Sequence, residues 1–185
     1  MVCNFWYEYS LSTGEGWYGF DFPNKRVTLY DDGKVPINTS TWNQCGEAMA
    51  SLLSLKELPE DENDTSPTVS KWRNEPLYIS SFLISQRDML ESVHRVMGTT
   101  DKDWTILYEP AEERFQRGTE MMKQGNRVGY AVAMYARMFY PSRDGDYESK
   151  YGLANGVLGL AKEDLDEATQ RAIKMAETGE KAFSA

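Results

Sequence analysis

Histidine is nearly missing from this chain, with His94 alone among 185 residues. General-base work needs partners that its neighbours do not suggest, so a solvated or locally hydrogen-bonded His94 is expected. Cysteine is almost as scarce: Cys3 and Cys45 carry no metal spacing and no disulfide framework. They read as two buried thiols acting as small apolar residues, a usage that fits a reducing compartment, and no metal site is expected. No run of 18 apolar residues occurs, and the start "MVCNFWYEYSL" lacks a basic stretch followed by a continuous apolar one. Neither a membrane span nor a secretory leader is expected, which leaves the sequons at Asn38 and Asn63 as chance matches. Lysine and arginine total 20 against 29 acidic residues, the net charge is -9, and no basic block stands out. A nucleic-acid partner is therefore disfavoured. What remains is a cytoplasmic globular protein whose 41% apolar content is enough for a core.

The stretch "GEGWYG" places Gly14, Gly16 and Gly19 in the G-x-G-x-x-G spacing that cradles a dinucleotide pyrophosphate. That chemistry needs a buried strand before the glycines and a helix directly after them, whose amides face the phosphates. "NFWYEYSLST" is not a buried-strand run, and the "FDFPNK" that follows favours a turn. The segment reads as a flexible glycine loop.

Further along, "KRVTLYDDGKVPINTS" predicts a β-hairpin, with Asp32-Gly33 as its turn. Thr39, Ser40 and Thr41 offer caps for a helix carrying Trp42, Cys45, Met49, Leu52 and Leu53 and ending near Leu55. Residues 56–76 are acidic, proline-bearing and without an apolar period, which predicts a solvated, partly disordered loop. "LYIS" (Leu77–Ser80) reads as a strand. Ser85 and Asp88 form a capping box before a helix with Met89, Leu90, Val93 and Met97, stopped by Gly98. "WTILY" (Trp104–Tyr108) reads as a strand and residues 110–125 as a polar helix. "VGYAVAMYARMFYP" is apolar nearly all round, hence a buried helix, and an amphipathic helix with Leu165, Ala168, Ala172 and Ile173 closes the chain.

This order, with the wording "NFWYE" at Asn4–Glu8, "GFDFPNKRVTLYDDGK" at Gly19–Lys34, "YISSFLISQRDMLESV" at Tyr78–Val93 and "GLAKEDLDEA" at Gly159–Ala168, resembles the C-terminal half of NmrA-like and isoflavone-reductase-like atypical short-chain dehydrogenases, the fungal ones above all. The resemblance implies an α/β fold, the C-terminal part of an NAD(P)-binding Rossmann-like protein. Residues 1–98 would hold the last sheet strands, the hairpin and helices, and residues 99–185 a mostly helical substrate-binding subdomain. It also implies that the family's cofactor domain, with its glycine turn and catalytic lysine, would lie upstream of Met1. NADP(H) is accordingly implied but not expected to bind this chain alone, and no catalytic residue is assigned.

Two functions follow as expectations. The first is the substrate-binding part of an NAD(P)H-dependent reductase acting on a small aromatic or secondary metabolite. Its wall would be Phe5, Trp6, Tyr7, Trp17, Tyr18, Met134, Tyr135 and Met138, with Asn4 and Phe5 at the edge of the nicotinamide site. Flat apolar faces with polar tips suit such a ligand, although core packing competes for every one of these residues. The second is a non-catalytic binding or regulatory module, or an inactive remnant. Unpaired strand edges in a half of this kind would favour self-association through the sheet edge.

Overall fold

The computed structural model describes residues 1–179 as a mixed α/β unit, with two small mixed sheets and seven α-helices among the described residues. Residues 180–185 of the expected substrate subdomain lie outside the described residues. The chain opens with β1 (Phe5–Trp6), which runs straight into α1 (Tyr7–Ser12), followed by β2 (Phe20–Asp21), β3 (Arg26–Tyr30), β4 (Ile37–Ser40) and α2 (Trp42–Leu53). Next come β5 (Phe82–Ile84), α3 (Gln86–Met97), β6 (Thr105–Glu109), α4 (Ala111–Lys123), α5 (Val128–Met138), the single turn α6 (Glu148–Tyr151) and α7 (Leu165–Thr178). In one sheet β4 lies between a parallel β1 and an antiparallel β5; in the other β3 lies between an antiparallel β2 and a parallel β6. No helix among the described residues is long and apolar enough to cross a membrane.

The helices start and stop where local chemistry directs. Thr41 caps α2 by accepting from the Gln44 amide at 3.0 Å. Ser85 and Asp88 close the capping box of α3, which ends on Gly98 in the left-handed region at φ 64. Asp164 accepts from the Glu167 amide at the head of α7. Each cap satisfies an amide that the first helical turn leaves without a partner.

Strand pairing departs from the sequence expectation. Asp32-Gly33 does not join β3 to β4, because those strands lie in different sheets. Two-residue turns of the mirror-image types need positive φ at their first central residue, which Asp32 would be and does not have, whereas Asp31 and Gly33 do. β3 is also already flanked on both edges, by β2 and β6, so no edge is left for β4. The true hairpin lies one strand earlier, with Phe20 facing Val27 and Asp21 facing Arg26. Nor is Leu77–Ser80 a strand: Tyr78 makes one isolated parallel bridge to Val2, and the paired strand is β5. The loop at residues 56–76 is exposed over most of its length, as its composition predicts. It nonetheless has internal order: Asp64 accepts from the Glu60 and Ser66 amides, and a short 3₁₀ turn, Val69–Trp72, sets Trp72 against the core.

The main core draws Tyr7 and Leu11 from α1, Val27, Leu29 and Tyr30 from β3, Leu90 and Val93 from α3, Tyr135 from α5, and Ala168 and Ala172 from α7. A satellite cluster of Ala48, Leu77, Ile79, Ala154 and Leu158 is covered by Cys3, Cys45, Leu52 and Trp72. Buried amides tie the pieces together. Gln86 accepts from the Tyr30 amide at 2.7 Å and donates to the carbonyls of Tyr18 and Thr28. Asn38 accepts from the amides of Tyr147 and Glu148 and donates to Ser80 Oγ.

Candidate functional site

β1 decides where the first aromatics go. Successive strand residues point to opposite faces, so Phe5 and Trp6 part company. Phe5 stacks flat on Tyr135 with ring centroids 3.8 Å apart, and Tyr18 meets Tyr135 edge-on at 5.4 Å. Tyr7, the first residue of α1, lies 6.5 Å from Tyr18 and 5.6 Å from Phe82. Four of the eight expected substrate residues, Phe5, Tyr7, Tyr18 and Tyr135, are thus brought together from three separate segments.

Three of those four face inward. Tyr7 and Tyr18 are 0% exposed and Tyr135 is 3% exposed. Their hydroxyls are engaged: Tyr7 with Thr169 Oγ1 at 2.7 Å, Tyr135 with Ser10 Oγ at 2.7 Å and Tyr18 with Thr39 Oγ1 at 2.9 Å. Burial pushes all three phenols well above their ordinary pKa. A phenol that is buried, protonated and already hydrogen-bonded has no polar tip to offer a ligand. Met134 and Met138 are partly buried and pack against the same core.

The other face is open. Trp6 meets Trp42 edge-on at 6.4 Å and Tyr9 at 6.5 Å, and Tyr9 meets Trp17 at 6.3 Å. All four rings are half-buried. They form a continuous aromatic run across β1, α1, the glycine loop and the head of α2. Trp6 and Trp17 belong to the expected wall; Tyr9 and Trp42 do not. The signal for Tyr9 was its place three residues after Trp6, one helical turn on, but only once Tyr7–Ser12 is known to be a helix.

Behind this run sits a buried carboxylate that the sequence reading passed over. Glu8 is 3% exposed, accepts from Arg171 Nε and Nη2 at 3.2 and 3.1 Å, and takes the Trp42 amide at 3.4 Å. Burial raises its pKa and the Arg171 guanidinium opposes that rise. With those partners Glu8 locks α1 to α7 and to the head of α2. His94 is locally satisfied by Thr99 Oγ1 and Asp101 Oδ1, each at 3.0 Å. A groove of about 440 Å³ lies beside β5, between Phe82, Leu83, Leu153 and Lys162, and none of the eight expected substrate residues lines it.

The residues present do not fit a dinucleotide. "GEGWYG" follows the C-terminus of α1, the negative end of a helix, and leads into β2 instead of into a helix N-terminus. The Glu15 carboxylate lies inside the loop, held by Arg26 at 2.8 Å and Thr28 Oγ1 at 3.0 Å, and would repel a phosphate. Gly19 serves the hairpin: at φ 88, an added Cβ would lie 2.2 Å from the Thr28 carbonyl oxygen. At the expected nicotinamide edge, Asn4 donates to the Asn38 carbonyl at 2.7 Å, and Phe5 is covered by Tyr135. Among the described residues no group of three or more His, Cys, Asp or Glu could hold a metal ion. Neither protein-family models nor curated proteins match this chain.

Proposed function

We propose that this chain is the substrate-binding part of a cytoplasmic NAD(P)H-dependent reductase of the NmrA-like and isoflavone-reductase-like kind, acting on a small aromatic or other secondary metabolite. The observation that carries the reading is the half-buried run Trp42, Trp6, Tyr9 and Trp17. Such rings present flat apolar faces to a planar ligand at little cost in conformational entropy. The parallel pairings of β1 with β4 and of β3 with β6, with β1, β4 and β6 each running into a helix, suit the end of a Rossmann-like sheet. NADP(H) would supply the hydride from a part of the enzyme outside these residues. The work of this chain is to bind the ring, orient it and keep water from it.

A non-catalytic binding module is the second reading. It is favoured by the engagement of Glu8, a buried acid behind the run, with Arg171 and the Trp42 amide. Titration with a planar isoflavone, followed by tryptophan fluorescence, tests ligand binding in both readings. Saturable quenching is expected, weakened roughly two- to thirteenfold by Trp6→Ala, since one aromatic contact is worth ~0.5–1.5 kcal/mol. Trp72→Ala, at the satellite cluster, should leave it unchanged. Quenching that does not saturate, or that ignores Trp6, would remove the aromatic site. Turnover of NADPH when a cofactor-binding half of the same family is supplied separates the reductase from the module.

A further inference from the structure

α2 is more apolar than its packing uses. Of its 12 residues only Gln44 and Ala48 are buried, and Cys45, expected as a buried thiol, is partly exposed, as is Cys3. Met49 is 42% and Leu53 73% exposed, one turn apart on the same face. The chain after α2 extends that face. Lys56 bridges to Thr68, the Val69 amide donates to the Lys56 carbonyl at 2.9 Å, and the Ser70 amide donates to the Glu57 carbonyl at 3.0 Å. This pairing sets Leu58, 55% exposed, and Val69, 36% exposed, beside the C-terminal end of α2. An apolar patch of this kind, rimmed by polar residues, marks an interaction surface.

Charge decides what covers it. Glu47 is the single charged residue of α2, so two chains of net charge -9 can meet on this helix with little repulsion. The rim carries exposed charges of both signs. Among the described residues Lys71 and Arg73 form no ion pair, and neither do Glu57, Asp61 and Glu62, whereas Lys56 holds Glu60 and Asp64 at 2.7 and 3.5 Å. A surface with an apolar middle and unpaired charges of both signs at its edge is complementary to itself. A two-fold rotation sets the cations of one copy on the acids of the other.

We propose that this face, the C-terminal half of α2 with residues 56–73, is where two copies of the chain pair across a two-fold axis. One helix face and one loop make a small interface, so the pair is weak, with a dissociation constant on the order of 10–100 μM. Trp42 lies at the other end of α2, about 16 Å from Leu53 along the helix, so pairing leaves the aromatic run open. The competing surface is the edge strand β6, where Tyr108 is 64% exposed.

Analytical ultracentrifugation of the 185-residue protein, from about 10 μM to about 1 mM, tests the pairing. A monomer–dimer equilibrium that stops at two is expected, because a two-fold contact uses up its own surface. Leu53→Glu should weaken it at least roughly tenfold, since a charge replaces an apolar side chain at the centre of the contact, and Tyr108→Glu should leave it unchanged. Lys71→Glu with Arg73→Glu should associate less, as should Glu57→Lys with Asp61→Lys and Glu62→Lys. Mixing those two proteins should restore the dimer, a gain that a misfolded variant does not give. A chain that stays monomeric throughout the range assigns the face to a different partner and overturns the proposal. So does growth beyond two, or a dimer that Tyr108→Glu abolishes and Leu53→Glu does not.

Discussion

Alanine at Gly118 should destabilise this protein, while the same change at Gly46 should stabilise it. Both glycines lie in helices, where alanine is ordinarily favoured by ~0.5–1 kcal/mol. At Gly46 an added Cβ meets nothing within 4 Å, so the full gain is expected. At Gly118 it would lie 2.5 Å from the Ala133 amide nitrogen and 2.8 Å from the Gly129 carbonyl oxygen. α5 answers in kind, because a Cβ on Gly129 would lie 2.5 Å from the Gly118 carbonyl oxygen. These obstacles are backbone atoms, which cannot swing aside, so α4 and α5 must separate. Overpacking of this sort costs ~1–3 kcal/mol, which outweighs the propensity gain and leaves a net loss of about 1–2 kcal/mol. At this chain length a kilocalorie moves the melting temperature by ~2–4 °C. Gly118→Ala should then melt roughly 2–8 °C lower and Gly46→Ala roughly 1–4 °C higher, as followed by circular dichroism. Since α5 carries Met134, Tyr135 and Met138, near-ultraviolet dichroism should report the disturbed Tyr135 stack in Gly118→Ala alone. A Gly118→Ala protein as stable as wild type, beside a Gly46→Ala protein that behaves as expected, would refute the close crossing.

Urea midpoints should rank the glycines of "GEGWYG" by backbone geometry and not by any shared ligand. Gly19→Ala should lose about 2 kcal/mol or more, from its positive φ and its clash with Thr28, whereas Gly16→Ala, in ordinary contact with Val128, should stay within about 0.5 kcal/mol; equal losses at both positions would refute this. Glu8 should tune stability with pH. Its folded pKa is raised, so its contribution is fully present below the ordinary glutamate value and is lost as pH rises through the folded value. Asp166, held low by Arg95 and Ser92, works in the opposite sense: its contribution is present above the ordinary aspartate value and is lost as pH falls through the folded one. Melting curves from acid to neutral pH should lose the first dependence in Glu8→Gln and the second in Asp166→Asn, and a variant that keeps the wild-type profile would count against the assignment.

The helices with side-chain caps were legible because their signals are local. Ser85 with Asp88, and Thr41 before Trp42, name their own helices whatever surrounds them. α1 was not legible. It has six residues, no side-chain cap and Trp6 in the capping position, so it is held by what it touches: Tyr7 and Leu11 in the core and Glu8 on Arg171. Isolated helices of that length do not stand alone. The Asp-Gly turn misled for a related reason, since which strand takes which edge of β3 is settled by residues 20–21 and 105–109, far from the turn. The aromatic site was half legible on the same grounds. Sequence could nominate rings but could not divide them between the core and the surface, because that division depends on the partners Ser10, Thr39 and Thr169 for the three phenols. A hydroxyl satisfied inside the protein commits its ring to packing. In the reductase or binding-module reading proposed above, ligand recognition would thereby be displaced from Tyr7, Tyr18 and Tyr135 to the indoles and phenol of the outer face, where Trp6 and Trp17 are common to the expected wall and the aromatic run.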